Sequence, residues 1–461
     1  LHMQWNSEDI ERIVKGRLLG APYAPLITGV STDSRTLQSG DLFVPLRGPN
    51  YDGHNYLRQA VESGASACLS EEVVGGLPVP VIQVEDTLEA LGALAASIRA
   101  GFKGPVAAVT GTSGKTSTKE MLASILSQCC PGLKTLGNFN NLIGLPLTLA
   151  GLEPEHRWMV LEMGMNQAGE IRRLTHIARP NVAVITNAGA GHLEGLGNVS
   201  AVACAKGEIF EGLVRGGTAV LNADDPELMA LPLPRRVRRI TYGIECPADV
   251  WASNIRLGRE VEFTLHLGAE VVHTSIPLPG RHQVYNALAA AAVARVMRVK
   301  PARIASGLEQ VKMAAGRLEV RELHAGITVL DDSYNANPQS MAAALDALEH
   351  WPATGRRIAV LADMLELGSA APHCHAEIGA RAAQVVDTLL VYGQWSTEMA
   401  EGALAGGLDR AQLVQVRNHA QICAWLQEHI ASDDCVLVKG SRGMRMEKVV
   451  DFLLHKLRMV A

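Results

Sequence analysis

Residues 110 to 116 read Thr-Gly-Thr-Ser-Gly-Lys-Thr. Glycines at such a spacing let the backbone curl until its amides face one point, and a helix starting there adds positive potential. The chemistry this suits is phosphate binding. Gly111, Thr112, Ser113 and Gly114 would cradle phosphate oxygens, Lys115 would reach the terminal phosphates, and the Thr116 hydroxyl suits Mg²⁺. The eight-residue form of the motif wants glycine where Val109 stands, so this is a shortened form, and an ordinary glycine turn is the alternative. Context favours phosphate: the apolar run Val106 to Thr110 precedes the loop, and a helical pattern from Lys115 to Gln128 follows it. The Asn-Lys-x-Asp signature of guanine recognition is absent, which excludes a signalling GTPase.

Two later strand ends carry further candidates. Leu161-Glu162-Met163-Gly164 places a hard oxygen ligand for Mg²⁺ at Glu162, and Asn187-Ala188-Gly189-Ala190-Gly191-His192 places an imidazole at His192. Helix capping is the alternative for Glu162, and a structural role in a glycine-rich loop is the alternative for His192. Lys206, on the following helix, reads by default as a solvated lysine paired with Glu208 or Glu211. His373 and His375 flank Cys374; with no fourth ligand nearby they read as a solvated helix start. Lys439-Gly440-Ser441-Arg442 ends the last strand-like run and is rich in anion donors. Arg442 is either a carboxylate clamp or a surface arginine.

The elements that must hold these groups follow an α/β rhythm. Val106 to Thr110, Trp158 to Met163, Val182 to Thr186 and Thr218 to Asn222 are apolar runs, each followed by a loop and a helical pattern, which predicts a parallel sheet. Val250 to Pro277 breaks the rhythm. There Val261, Phe263, Leu265 and Leu267 alternate with polar residues, which predicts a small antiparallel insert. From about Val320 a second α/β unit begins, with strands at Ile327 to Leu330, Ile358 to Leu361, Thr388 to Tyr392 and Cys435 to Val438. Ahead of Gly101-Phe102-Lys103-Gly104-Pro105, a candidate linker, the first hundred residues mix short strands with helices.

The chain has 461 residues, which by length alone suggests about three domains. Hydrophobic residues make up 48% and charged ones 19%, enough for ordinary cores and against disorder. A net charge of -5 and 4% aromatics argue against polyanion binding and base stacking, so no nucleic-acid partner is expected. No apolar run reaches a membrane-spanning length; the longest, Ala287 to Val296, predicts an alanine-rich helix. Leu1-His2-Met3 does not read as a signal peptide, and eight cysteines without CxxC pairs suit reduced thiols, so a cytoplasmic location is expected.

With these motifs in hand, the chain resembles the Mur ligases of bacterial cell-wall synthesis over nearly its whole length. The resemblance rests on residues 110 to 116, on Asn138-Phe139-Asn140-Asn141-Leu142-Ile143-Gly144, on Glu162-Met163-Gly164 and on Thr186 to His192. Asp331-Asp332-Ser333-Tyr334-Asn335-Ala336-Asn337-Pro338, Asp363 to Gly368 and Lys439 to Met444 are similar to the branch that adds D-alanyl-D-alanine to UDP-N-acetylmuramoyl-tripeptide. The Asp-Asn-Pro-Arg string of the branch that adds the third amino acid is absent.

The resemblance implies three α/β domains. These are a mixed UDP-binding domain over 1–100, a central P-loop ATPase domain with a small antiparallel insert over 101–318, and a Rossmann-like domain over 319–461. It implies ATP and two Mg²⁺ ions, with Lys115, Glu162, His192 and Lys206 as catalytic groups. Thr116, Glu162, His192 and a Lys206 carbamylated by CO₂ would serve the metals. Asn286, Arg317, Asp332, Tyr334, Asn335 and Asn337 would bracket adenine and ribose. Ser31, Asp33, Ser34, Arg35, Asp52 and His54 would meet the UDP moiety, although Asp33-Ser34-Arg35 equally suits a turn with a salt bridge. Asn138, Asn140, Asn141 and Arg442 would meet the rest of the substrates. Gly280-Arg281-His282-Gln283 departs from the family, which more often has His-Asn there. The implied reaction makes an acyl phosphate that the dipeptide amine attacks, in a monomer whose last domain closes over ATP. Two other readings compete: a folylpolyglutamate synthase, which usually starts near its phosphate loop, and a non-catalytic P-loop regulator.

Overall fold

A computed structural model describes residues 4–19, 26–191 and 193–458; residues 1–3 and the candidate ligand His192 lie outside the described residues. Three main sheets follow one another along the chain. The first has five strands in the order Arg17–Leu19, Val81–Gln83, Ala67–Ser70, Asp41–Phe43 and Gly29–Ser31, parallel except for the Arg17–Leu19 edge. Its apolar face packs Leu42 and Ile82 against Leu91 and Leu94 of the helix Thr87–Gly101, which Asp86 caps at its N-terminus.

The second sheet has nine strands and holds the phosphate loop. Val106–Thr110 lies between Met159–Glu162 and Val182–Ile185, with Thr218–Asn222 and Arg238–Gly243 beyond. These runs are buried from end to end on both faces, as apolar strands in a parallel sheet must be. The expected antiparallel strands are present and join the edge of this sheet. Val250–Arg256 pairs in parallel with Arg238–Gly243, and the hairpin Val261–Leu267 with Glu270–Ile276 extends the same sheet. The reason is burial: Val261, Phe263, Leu265 and Leu267 face the core that the central strands already use. Arg238–Gly243 escapes the apolar-run pattern because it opens on exposed arginines; only Tyr242 and Gly243 are buried.

The third sheet orders six strands as Glu319–Glu322, Thr328–Asp332, Cys435–Lys439, Arg357–Ala362, Thr388–Tyr392 and Leu413–Val416, parallel except at the first edge. None of the eight cysteines is paired. Among the described residues no helix is long and apolar enough to cross a membrane.

The phosphate-loop helix Lys115–Ser127 is fixed from behind. The alanine-rich helix His282–Val296 is buried all round from Ala287 to Ala294 in the same core, and small side chains let it lie close. On the next side the helix Pro301–Glu309 brings Gly307 against the Ile125 backbone so closely that a Cβ would overlap the Ile125 Cα, while the Ser124 hydroxyl donates to the Gly307 carbonyl at 2.6 Å. Gly307→Val must therefore push the two helices apart. We expect a loss of about 1–3 kcal/mol, the usual cost of overpacking, read as a lower urea midpoint at unchanged slope. A midpoint equal to wild type would contradict the close approach.

Candidate active site

The central strands end at a cavity of about 830 Å³ lined by residues of the second and third sheets and their loops. Its floor is the phosphate loop. Gly111 (φ +151°) and Gly114 (φ +79°) adopt conformations that side chains rarely reach. A Cβ on Gly111 would run into Thr186, and one on Gly114 into the Asn286 amide oxygen. The loop is pinned by the end of the neighbouring strand. Asn187 accepts from the Ser113 amide at 3.0 Å through its side chain and from the Thr112 amide at 3.0 Å through its carbonyl. The Thr186 hydroxyl donates to the Ser113 carbonyl at 2.5 Å, and the buried Tyr242 hydroxyl donates to the Thr186 carbonyl at 2.8 Å.

Lys115 turns back over this loop, its Nζ donating to the Gly111 carbonyl at 2.8 Å and the Thr112 carbonyl at 3.3 Å. Burial pulls its pKa down, Glu162 opposes that, and the charge of Arg317 adds to it. The Thr116 hydroxyl donates to Glu162 Oε2 at 3.0 Å, and the Asn140 amide donates to Oε1 at 2.8 Å. Glu162 is thus no helix cap. It forms with Thr116 a pair of hard oxygens at the mouth of the loop, a donor set that fits Mg²⁺. Asn138 also lines the cavity, whereas Asn141 does not; its side chain accepts from the Ile143 and Gly144 amides at the start of the helix Gly144–Ala150.

Lys206 overturns its default reading. It is 1% exposed and lines the cavity. Glu208 instead accepts from the Gly169 and Arg172 amides, and Glu211 pairs with Arg172. Among the described residues Lys206 has no hydrogen-bonding or ionic partner. Burial first, and then the Lys115 charge, push its pKa well below that of a free lysine. Its charged form is therefore disfavoured where it stands.

The third sheet supplies the opposite wall. Arg317 stacks over the Tyr334 ring at 4.0 Å with its buried Nε unpartnered, and Arg442 lies 5.5 Å from the same ring. Asp332 accepts from the Leu318 amide at 3.0 Å and from Lys439 Nζ at 2.5 Å; the same ammonium donates to the Asn335 carbonyl at 2.9 Å. Asn337 caps the helix Pro338–His350, and its amide reaches across to the Ser113 hydroxyl at 3.0 Å. Asn286 donates to Gln283 at 3.0 Å, so the glutamine that departs from the family's usual residue is satisfied inside the protein. Lys439 is a site residue that sequence reasoning quoted but did not assign. Asp224, which sequence reasoning did not name, gathers the Ile244, Glu245 and Cys246 amides and the Tyr285 hydroxyl at the cavity wall.

The first-sheet candidates do not line this cavity. Asp33 and Arg35 form the turn with a salt bridge, Arg35 gripping both carboxylate oxygens and holding the Asp33 pKa at about 2. Ser31 donates to the Asp33 carbonyl at 3.0 Å, and Ser34 is buried. His54 is held by its neighbours. Its Nε2 accepts from the Glu71 amide at 3.1 Å, so Nδ1 carries the proton and donates to Asp52 at 2.7 Å; neither ring nitrogen is free for a ligand. Asp52 also accepts from the His54 amide and from Arg47. His375 is a correction: fully buried, it accepts from the Met364 amide at 2.9 Å and donates to the Ala371 carbonyl at 2.6 Å. It holds the Asp363 to Glu366 loop, whereas His373 is exposed as expected.

Comparison with known proteins accords with this geometry. Three family models match in turn: Mur ligase family, catalytic domain, over 26–99; Mur ligase middle domain over 109–294; and Mur ligase, glutamate ligase domain, over 316–442. The UDP-N-acetylmuramoyl-tripeptide--D-alanyl-D-alanine ligase of Escherichia coli is 40% identical, covering 95% of this chain and 96% of that protein. The crystal structure of MurF from Acinetobacter baumannii superimposes with a TM-score of 0.90 at 32% identity, covering 99% of this chain and 100% of that one. MurF ligase from Thermotoga maritima, solved in complex with ADP, gives a TM-score of 0.83 at 28% identity, covering 94% and 98%. The chain belongs to the Mur ligase family.

Proposed function

We propose that this protein is the ATP-dependent ligase that joins D-alanyl-D-alanine to UDP-N-acetylmuramoyl-tripeptide, releasing ADP and phosphate, in peptidoglycan precursor synthesis. The observation that carries the reading is a full-length likeness to ligases of that name joined to a cavity with the parts such a reaction needs. Its work is divided among 1–100 for the UDP end, 101–318 for ATP and metal, and 319–461 for nucleotide and dipeptide.

The physical problem is that a carboxylate is a poor electrophile, because its leaving group would be oxide. Transfer of the ATP γ-phosphoryl group to the tripeptide carboxylate breaks the bond to the bridging oxygen of ADP and forms an acyl phosphate. The amine of D-alanyl-D-alanine then attacks the acyl carbon, the tetrahedral intermediate expels phosphate, and the amine proton passes to solvent or to the departing phosphate. Lys115 and the amides of Thr112 to Gly114 would neutralise charge gathering on the transferred group. Arg317 and Tyr334 present a flat stacked surface suited to adenine, with Asn286, Asp332, Asn335 and Asn337 around it. Exclusion of water by the opposed walls would protect the acyl phosphate.

Thr116 and Glu162 would hold Mg²⁺, which when bound offsets phosphate charge. Lys206 would complete the set as a carbamate. In its neutral form, which burial favours, the amine attacks CO₂; a nitrogen–carbon bond forms, one proton leaves to water, and an anionic oxygen stands where an ammonium would repel metal. Burial with no partner among the described residues supports this. His192 keeps its place as a candidate second metal ligand.

Phosphate release from ATP should require both UDP-muramoyl-tripeptide and D-alanyl-D-alanine. Turnover indifferent to the dipeptide would point to a nucleotide switch, and turnover with a folate and glutamate would point to the other ligase; either result sinks the assignment. Lys206→Ala should lower kcat by about 100-fold or more, the scale of a lost transition-state electrostatic contact, with partial recovery in a short-chain carboxylate. Full activity of that variant in carboxylate-free buffer would dispose of the carbamate.

A further inference from the structure

Behind the Thr116–Glu162 pair stands a cation that the reaction as derived does not use. Lys119 lies one turn beyond Lys115 on the helix Lys115–Ser127, is fully buried and does not line the cavity. Its Nζ is 3.5 Å from Glu162 Oε2 and 3.2 Å from Glu120 Oε1, yet it donates a well-aligned hydrogen bond to neither. The other Glu120 oxygen is taken by Lys134, whose side chain is 36% exposed. Charge therefore alternates inward from the surface, from Lys134 to Glu120 to Lys119 to Glu162.

Stability does not account for such a chain, since buried ion pairs seldom outperform apolar packing of the same volume. Nor is Lys119 needed to aim Glu162, whose two oxygens are already fixed by Thr116 and Asn140. What Lys119 supplies without an aligned hydrogen bond is charge. Glu120 takes part of that charge and Glu162 the rest.

Resting on the reading of Thr116 and Glu162 as metal ligands, we propose that Lys119 is a positioning residue that sets the charge of the metal site. It offsets the Glu162 carboxylate, so that a divalent cation is held only when nucleotide phosphates add their own negative charge. Metal then arrives with ATP and does not occupy the loop beforehand, where it would compete with Lys115 for the place of the phosphates.

The test is Mn²⁺ binding followed by the loss of its free electron paramagnetic resonance signal, with and without ATP. Wild type should bind Mn²⁺ tightly only with ATP. Lys119→Met should bind Mn²⁺ without nucleotide about tenfold tighter or more, the effect of removing a unit charge beside a divalent ion even under water-like screening. Lys119→Arg should restore the dependence on nucleotide. Glu120→Gln should act in the opposite direction, weakening Mn²⁺ binding with ATP, because the Lys119 charge then falls on Glu162 alone. A merely structural lysine would lower the melting temperature and leave the nucleotide dependence as it was; that result overturns the proposal. If Lys119→Met does not fold, Glu120→Gln decides alone, and an unchanged affinity in it is equally fatal. Wild type that binds no Mn²⁺ even with ATP would instead overturn the metal reading underneath.

Discussion

Two lysines that face one cavity set the terms for everything around them. Burial lowers the proton affinity of Lys115 and of Lys206, the Lys115 charge lowers that of Lys206 further, and anions relieve this. An arrangement this costly persists only if the surrounding structure fixes it. The fixing is visible at each level. Parallel strands buried on both faces end at one edge, a glycine loop wraps against Thr186 and Asn187, and an alanine-rich helix holds the loop's helix from behind. Tyr242 ties the carbonyl of Thr186 in place from a strand further along the sheet. The cavity is a consequence of topology, and its charge is a consequence of which residues stand at the strand ends.

Much of this was legible before any coordinates. Short apolar runs bounded by glycine mark the central strands because a strand covered on both faces is mostly apolar, and Val106–Thr110 and Thr218–Asn222 fall where the runs do, as Val261–Leu267 falls where the alternation does. The phosphate loop was legible because its chemistry demands glycines at fixed places. Other features were hidden for physical reasons. The hairpin after Val250 reads as an insert because alternation reports one buried face without saying which core buries it. Arg238–Gly243 is masked by exposed arginines at its start. A lysine beside glutamates in a helix is written the same way whether solvated or buried, so Lys206 and Lys119 differ from surface lysines only in three dimensions. His375 was misjudged for the same reason: its partners are main-chain groups, which every residue carries.

The net charge of -5 also changes meaning. It argues against a polyanion surface, yet the cavity gathers a handful of cations whose effect burial multiplies. Arg317 and Lys439 are among them, and both stand on the third-sheet wall. The cavity is therefore lined from two sheets at once, and the Ser113–Asn337 hydrogen bond joins the two walls directly. Specific anion binding here depends on placement across a seam, which composition does not register.

The position of Lys115 suggests how such a site avoids a penalty on binding. In the structure its ammonium donates to two carbonyls of its own loop. Those carbonyls are the acceptors nearest to where phosphate oxygens must come, so the lysine waits in a partly satisfied state and need not be stripped of water when ATP arrives. Exchange of a neutral carbonyl for an anionic oxygen strengthens each hydrogen bond by making it charge-assisted. Binding energy is thus realised at the reacting phosphates, where it can assist the transfer step, and the rest of the cavity needs only to hold adenine and exclude water.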